Sequence, residues 1–203
     1  SMSKGDSLVT LSTELTSNPA QGDVPYGTLT TMSESPFRFG LIYVGTDDGM
    51  IHLSKDGGYT FSLLSAKLPK GLYVSRVLAS AYSESRVYAT LNGYRNDHFN
   101  AYVYVSNDYG TTWTQIMKDL PLEAVNVITE DNISSQVLYV GTDGGLYVST
   151  DGGNSSMGWS KGLPNAVPIH DIVIHPRDNE IILGTHGRSL YTSKLDDLHK
   201  KVQ

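Results

Sequence analysis

The chain has 203 residues, 39% of them apolar and 18% charged, with 20 glycines, 13 tyrosines and no cysteine. That length supports a buried core, and the missing cysteines exclude disulfide scaffolds and thiolate metal centres. Fifteen Lys and Arg against 21 Asp and Glu give a net charge of -6 without a basic run, which argues against a nucleic-acid partner.

Taken in order, the chain opens on SMSKGDSLVT, where Ser1-Met2 reads as a cloning scar and residues 1–6 as a tag without the apolar region of a signal peptide. Nowhere does an apolar stretch reach the roughly 18 residues of a membrane span. SLVTLSTEL at 7–15 carries Leu8, Val9 and Leu11 in a strand-like pattern that belongs to no repeat of its own. One succession then recurs. The runs TLTTMSES, RVLASAYS, VNVITED and DIVIHPRD are each followed by a second run ending near glycine: LIYVGTDDG (41–49), RVYATLNG (86–93), VLYVGTDGG (137–145) and IILGTHG (181–187). In three repeats SKDGGYTF (54–61), SNDYGTTW (106–113) or STDGGNSS (149–156) comes next. Asp56 to Asp108 is 52 residues and Asp108 to Asp151 is 43, and Pro69, Pro121 and Pro164 each fall 13 residues after their Asp.

Each repeat therefore reads as four short antiparallel strands in about 45 residues, the content of a propeller blade. The expected fold is all-β, a β-propeller-type array of four four-stranded blades spanning 7–196. Repeats fall at about 22–70, 71–122, 123–166 and 167–196, with a polar tail at 197–203 and no helix beyond a turn after Leu195. The fourth repeat runs DIVIHPRD, IILGTHG and SLYTS and then ends, so residues 7–15 are expected to pair with 190–192 as its outer strand. Such pairing would close a four-bladed ring, or else the array stays open with an edge free for self-association.

The Asp-centred turn has a local cause. A short carboxylate can accept hydrogen bonds from amides just after it, while Gly58, Gly110 and Gly153 supply positive φ. Phe61 or Trp113 then anchors the turn. In the third copy Ser156 replaces the aromatic and Trp159 comes three residues late, which predicts a distorted fourth strand. Ser106, Asp108, Gly110, Thr112 and Trp113 fit Ser-x-Asp-x-Gly-x-Thr-Trp; Ser54, Asp56, Gly58, Thr60 and Phe61 fit with Phe for Trp, and Ser149, Asp151 and Gly153 keep its first half. With these motifs the chain resembles the Asp-box, or BNR-repeat, β-propellers, which include sialidases, xyloglucan-cleaving glycoside hydrolases and the sortilin ectodomain. The resemblance covers about 22–195, and VLYVGTDGGLYVSTDGG and IILGTHGRSLY look like the last blades of large secreted, sortilin-like or glycosyl-hydrolase-like proteins. It implies a secreted, cell-surface or periplasmic location, and Asp-boxes that serve the fold on the face opposite the ligand.

The resemblance also allows catalysis to be tested. A sialidase of this group needs three arginines on a carboxylate, a Tyr–Glu pair and an acid/base Asp. Of Arg38, Arg76, Arg86, Arg95, Arg177 and Arg188, only Arg95 and Arg188 fall in turns of the expected ligand face. No facing Asp pair of the xyloglucan-cleaving type stands out. Ligand-binding candidates are Asp47, Asp48, Asp143, His186 and Arg188, just after the second strands, and Tyr94, Arg95, Asp97 and His98 in an enlarged loop at 91–102. That loop mixes rings, amides and charges suited to sugars or peptides, or else Tyr94 and Phe99 pin it to the neighbouring blade. His170, expected just ahead of a strand, His175 and His186 are spaced by five and eleven, which matches no zinc pattern, so neither metal nor cofactor is expected. Asn132-Ile133-Ser134 fits a glycosylation acceptor. The expected function is a non-catalytic module of a larger secreted or surface protein, binding glycan or protein through the loop-bearing face; the alternative is a fragment of a glycoside hydrolase.

Overall fold

A computed structural model describes residues 8–17 and 27–202; the expected tag, Ser7 and the start of the first repeat at 22–26 lie outside the described residues. Four antiparallel sheets follow one another, each a meander in chain order. The first holds β1 (Leu29–Glu34), β2 (Ile42–Thr46), β3 (Ile51–Ser54) and β4 (Ser62–Leu63). The second holds β5 (Tyr73–Ala79), β6 (Val87–Gly93), β7 (His98–Ser106) and β8 (Thr114–Gln115). The third holds β9 (Val125–Glu130), β10 (Leu138–Thr142), β11 (Leu146–Ser149) and β12 (Met157–Gly158). Among the described residues the fourth has three strands, β13 (Ile169–His175), β14 (Glu180–Thr185) and β15 (Leu190–Lys194). This is the all-β, four-bladed propeller architecture that the repeats predict.

Strands such as β10, LYVGT, are buried on both faces because each sheet is sandwiched between neighbours, which explains their continuous apolar run. Inner strand packs on inner strand, β1 on β5, β5 on β9 and β9 on β13. A hydrophobic cluster fills each seam. Tyr43, Ile51 and Leu53 meet Val74, Val77 and Leu91; Tyr88 meets Val125, Ile128 and Val140; Tyr139 and Val148 meet Ile169, Ile172 and Leu183. No comparable packing joins β13 to β1 among the described residues, so the array is an open arc.

The Ser–Asp–Gly turns repeat nearly atom for atom. The Ser54 hydroxyl donates to Asp56 (2.8 Å) and accepts from the Gly58 amide (2.8 Å), while the Thr60 amide and hydroxyl donate to the two Asp56 oxygens at 2.9 and 2.7 Å. Ser106, Asp108, Gly110 and Thr112 repeat this, and in the third copy Ser155 stands in for Thr. Gly58, Gly110 and Gly153 have φ of 97°, 85° and 91°. The third turn corrects one expectation, because its fourth strand is not distorted. Trp159 donates its amide to Leu146, as Leu64 does to Ile51 and Ile116 to Val103, so Trp159 simply occupies the Leu64 position. Trp113 donates its indole N–H to the Leu64 carbonyl, pinning the second blade to the first.

The chain ends overturn two further expectations. Residues 8–17 form no strand against β15; they lie on the back of the first blade, where Leu15 is buried, its carbonyl is 2.7 Å from His52 Nε2, and Leu11 covers Gly58. The physical reason is burial. The exposed side chains of β15 offer little apolar surface beyond Leu190, whereas the back of the first blade carries His52 with Val44 in register beside it. The supposed polar tail is α1 (Asp196–Val202), which docks at the seam of the third and fourth blades. His199 is buried with Nε2 2.8 Å from Asp131 Oδ2, an oxygen that also accepts from the Tyr139 hydroxyl at 2.8 Å.

Candidate functional site

The ends of each blade differ in chemistry. At one end the Ser–Asp–Gly turn meets the first hairpin, the Gly57 amide donating to Gly40; at the other the β2–β3 turn meets the start of β1, the Asp47 amide donating to Thr28. Asp56, Asp108 and Asp151 therefore sit opposite Asp47, Asp143, His186 and the 91–102 segment. Hydrogen bonds from Thr60, Thr112 and Ser155 hold the three turn carboxyls down at about 2.

Every inner strand begins with a β-bulge, and the extra residues are Thr30, Ser75, Asn126 and His170. A bulge re-aims the side chain it inserts, and here all four turn onto one open concavity of about 650 Å³. His170 thus lies within β13, not ahead of it. Around the bulged residues stand Tyr73, Arg76, Asn92, Tyr94, Arg95, Asp143, Pro168 and His186, so all four blades contribute.

These groups hold one another in place. The Thr30 hydroxyl donates to the Val74 carbonyl (2.6 Å) and the Ser75 hydroxyl to the Val125 carbonyl (2.7 Å), stitching successive blades. The Asn92 amide donates to Asn126 (2.8 Å), which donates to Asp143 (2.9 Å). Arg95 lies over the Tyr73 ring, 5.1 Å from its centroid, and Arg76 reaches from the second blade to pair with Asp171 on the fourth. The His170 and His186 rings are 5.2 Å apart, tilted by 40°.

Of the residues singled out from sequence, Tyr94, Arg95, Asp143 and His186 line the concavity; Asp47, Asp48, Asp97, His98 and Arg188 do not. Asp47 is buried and accepts the Gly27 and Thr28 amides (3.0 and 2.9 Å), closing the first blade. Asp48 accepts the Ser17 amide and hydroxyl, both at 2.6 Å. Burial raises its carboxyl, and bonds from Ser17 and Thr46 outweigh that and leave it below the usual range. Asp97 ends a 3-10 turn with φ of 53°, His98 is spent on the Tyr102 hydroxyl (2.9 Å), and Arg188 stays exposed beyond β14. The expected loop is largely an extension of the β6–β7 ladder, with Tyr94 edge-on to Phe99 at 6.0 Å and Asn96 tied to the Gly71 carbonyl. Thr30, Tyr73, Ser75 and Asn126 escaped the sequence reading, Arg76 was placed by it off the ligand face, and Asn92 fell inside the 91–102 loop without being singled out. For Thr30, Ser75 and Asn126 the signal was a polar residue directly after the apolar one that precedes the bulge, and no comparable pattern marks Tyr73, Arg76 or Asn92.

Asn132 donates to the Pro176 carbonyl and to Asn179, which ties the third blade to the fourth. Among the described residues no three His, Asp or Glu side chains gather as a cation site, and no helix is long and apolar enough to cross a membrane.

No protein-family model matches the chain, and no curated protein sequence matches it. Solved structures do. The GH74 xyloglucanase from Xanthomonas campestris is 15% identical, with a TM-score of 0.67 over 85% of this chain and 30% of its own. A GH74 enzyme from Niastella koreensis is 16% identical, with a TM-score of 0.68 over 85% of this chain and 29% of its own. YCF48, solved bound to a D1 peptide, is 14% identical, with a TM-score of 0.60 over 82% of this chain and 51% of its own. The chain thus spans under a third of these GH74 enzymes and about half of YCF48, and the likeness is one of fold.

Proposed function

We propose that the chain is the ligand-binding part of an Asp-box β-propeller, belonging to a larger secreted or surface protein, and that it binds glycan without cleaving it. One observation carries this reading: all four blades send a bulged inner-strand residue into one concavity. Amides, hydroxyls and guanidinium groups beside the Tyr73 and Tyr94 rings offer sugar hydroxyls both hydrogen bonds and flat apolar faces. Glycoside hydrolysis needs two carboxyl groups about 5–9 Å apart, one donating a proton. Among the described residues Asp143 is the one carboxylate lining the concavity, and it accepts from Asn126; outside the lining, Asp171 is paired with Arg76 and Asp47 is held by backbone amides. That favours binding over turnover.

The GH74-like architecture favours a second reading, a piece of a glycoside hydrolase whose other catalytic groups lie elsewhere. Titration calorimetry with xyloglucan oligosaccharides and sialosides, run beside a reducing-sugar assay, separates the two. Saturable binding weakened about tenfold or more by Asn126→Ala, with no sugar released, is the expected result. Turnover abolished by Asp143→Asn would replace this reading with the hydrolase one, and absence of any glycan binding would remove it.

A further inference from the structure

The seams between blades share a lock that the two ends of the arc leave unused. The residue of each inner strand just before the bulge is Leu29, Val74, Val125 or Ile169. Val74, Val125 and Ile169 are fully buried against the preceding blade, whereas Leu29 is 58% exposed. The receiving position lies on the second strand of the preceding blade. A Cβ at Gly45 would stand 2.5 Å from Val74 Cγ1, and one at Gly141 would stand 2.7 Å from Ile169 Cγ2. These glycines are notches for the next blade's knob. The middle seam has Thr90 there, its hydroxyl turned 2.8 Å from that of Ser75.

Gly184 is the fourth such position, and its notch is empty: a Cβ there meets only Asp171 of its own sheet, at 3.4 Å. The pleat places Asp171, Leu190, Val173, Ile182 and Thr192 on the same face. Val173 and Leu190 are 52% and 73% exposed, apolar surface that a seam would bury. At the other end, residues 8–17 cover the first sheet at His52 yet leave Leu29 and Met32 on β1 exposed. Tyr104 and Tyr147, at the register position of His52 in the second and third blades, belong to their seams, so residues 8–17 occupy the outer part of this one and leave the β1 part, with Leu29 and Met32, for docking.

We propose that the free face of the fourth blade, centred on the Gly184 notch, docks β1 of a second copy of this chain, with Leu29 as the knob. The interface continues the packing of the internal seams, two of which set the knob into a glycine notch, and both of its halves are displayed by the same molecule. It is head to tail, and it uses the face of the sheet rather than the hydrogen-bonding edge of β15.

The absence of native cysteine makes the test clean. At the internal notches the built Cβ lies 3.0 Å from Val74 Cβ and 2.9 Å from Ile169 Cβ. Slight relaxation brings such a pair to the ~3.5–4.5 Å of a disulfide. Leu29→Cys and Gly184→Cys are made in separate chains, checked for wild-type melting, mixed and oxidised mildly. A disulfide-linked dimer from the mixture, absent when either variant is oxidised alone, is the expected result. Sedimentation of the unmodified chain is expected to show concentration-dependent association that Gly184→Val abolishes without lowering Tm. Lack of cross-linking between folded variants would overturn the proposal. So would equal homodimer formation by either variant alone, a bond formed within single chains of the double variant at high dilution, or a wild-type chain monomeric at every concentration.

Discussion

Asp56 is exposed and Asp108 and Asp151 are half-buried, and each carboxylate is gripped by a hydroxyl and an amide of its own turn that hold it down at about 2. An unfolded Asp titrates near ~3.9, so the folded value is depressed and the stabilisation is fully present above that pH. It is lost as pH falls toward 2. Replacing all three by Asn is expected to flatten the fall of Tm between about pH 4 and 2, and an acid limb parallel to the parent's would contradict this assignment. The notch glycines make a second contrast at this scale. Gly141→Ala drives a Cβ into Val127 and Ile169 and is expected to cost about 1–3 kcal/mol by overpacking, whereas Gly184→Ala makes only ordinary contact with Asp171 and is expected to be nearly neutral. Urea midpoints of the two variants measure the difference.

Among the elements, α1 is short, and Leu198 together with the buried His199 holds it at the seam of the last two blades. Burial raises the Asp131 carboxyl, but bonds from His199, the Ile133 amide and Tyr139 outweigh it and hold the group low. Burial, with the nearby Asp131 charge, pushes the Tyr139 phenol up so that it remains the donor. His199→Ala removes one partner of a buried carboxylate and is expected to cost about 1–3 kcal/mol in chemical denaturation, whereas Lys200→Ala, at the exposed side of α1, is expected to change little. The segment 8–17 is a second dependent element. Burial lowers the His52 imidazole, and the Leu15 carbonyl only partly offsets that. Deleting residues 1–17 is expected to move His52 upward toward its ordinary value in an NMR titration; an unchanged value would mean the segment does not cover the ring.

For the whole molecule, the repeats made the blades legible because each blade is local. Its strands are consecutive, its turns are set by neighbouring residues such as Asp108 and Gly110, and alternation reports burial. The opposing placement of Asp108 and Asp143 followed from strand order alone. Part of the concavity was legible too, Arg95 and His186 among its lining, but Asp47, Asp48 and His98 have the same composition and are consumed by internal hydrogen bonds that couple distant residues. The bulged residues were hidden for a different reason, since a bulge is fixed by pairing register with a second strand.

The sequence by itself determined the all-β repeat, the number of blades and the chemistry of the Ser–Asp–Gly turns, because these rest on interactions spanning about 45 residues or fewer. Tertiary structure alone decided where the chain ends lie, that the fourth blade keeps three strands and that the arc stays open. Those outcomes depend on competition for uncovered apolar surface. Leu15 is buried at the back of the first blade, and Leu195 and His199 at the seam of the last two, where each loses more contact with water than an edge strand beside Leu190 and Thr192 would provide.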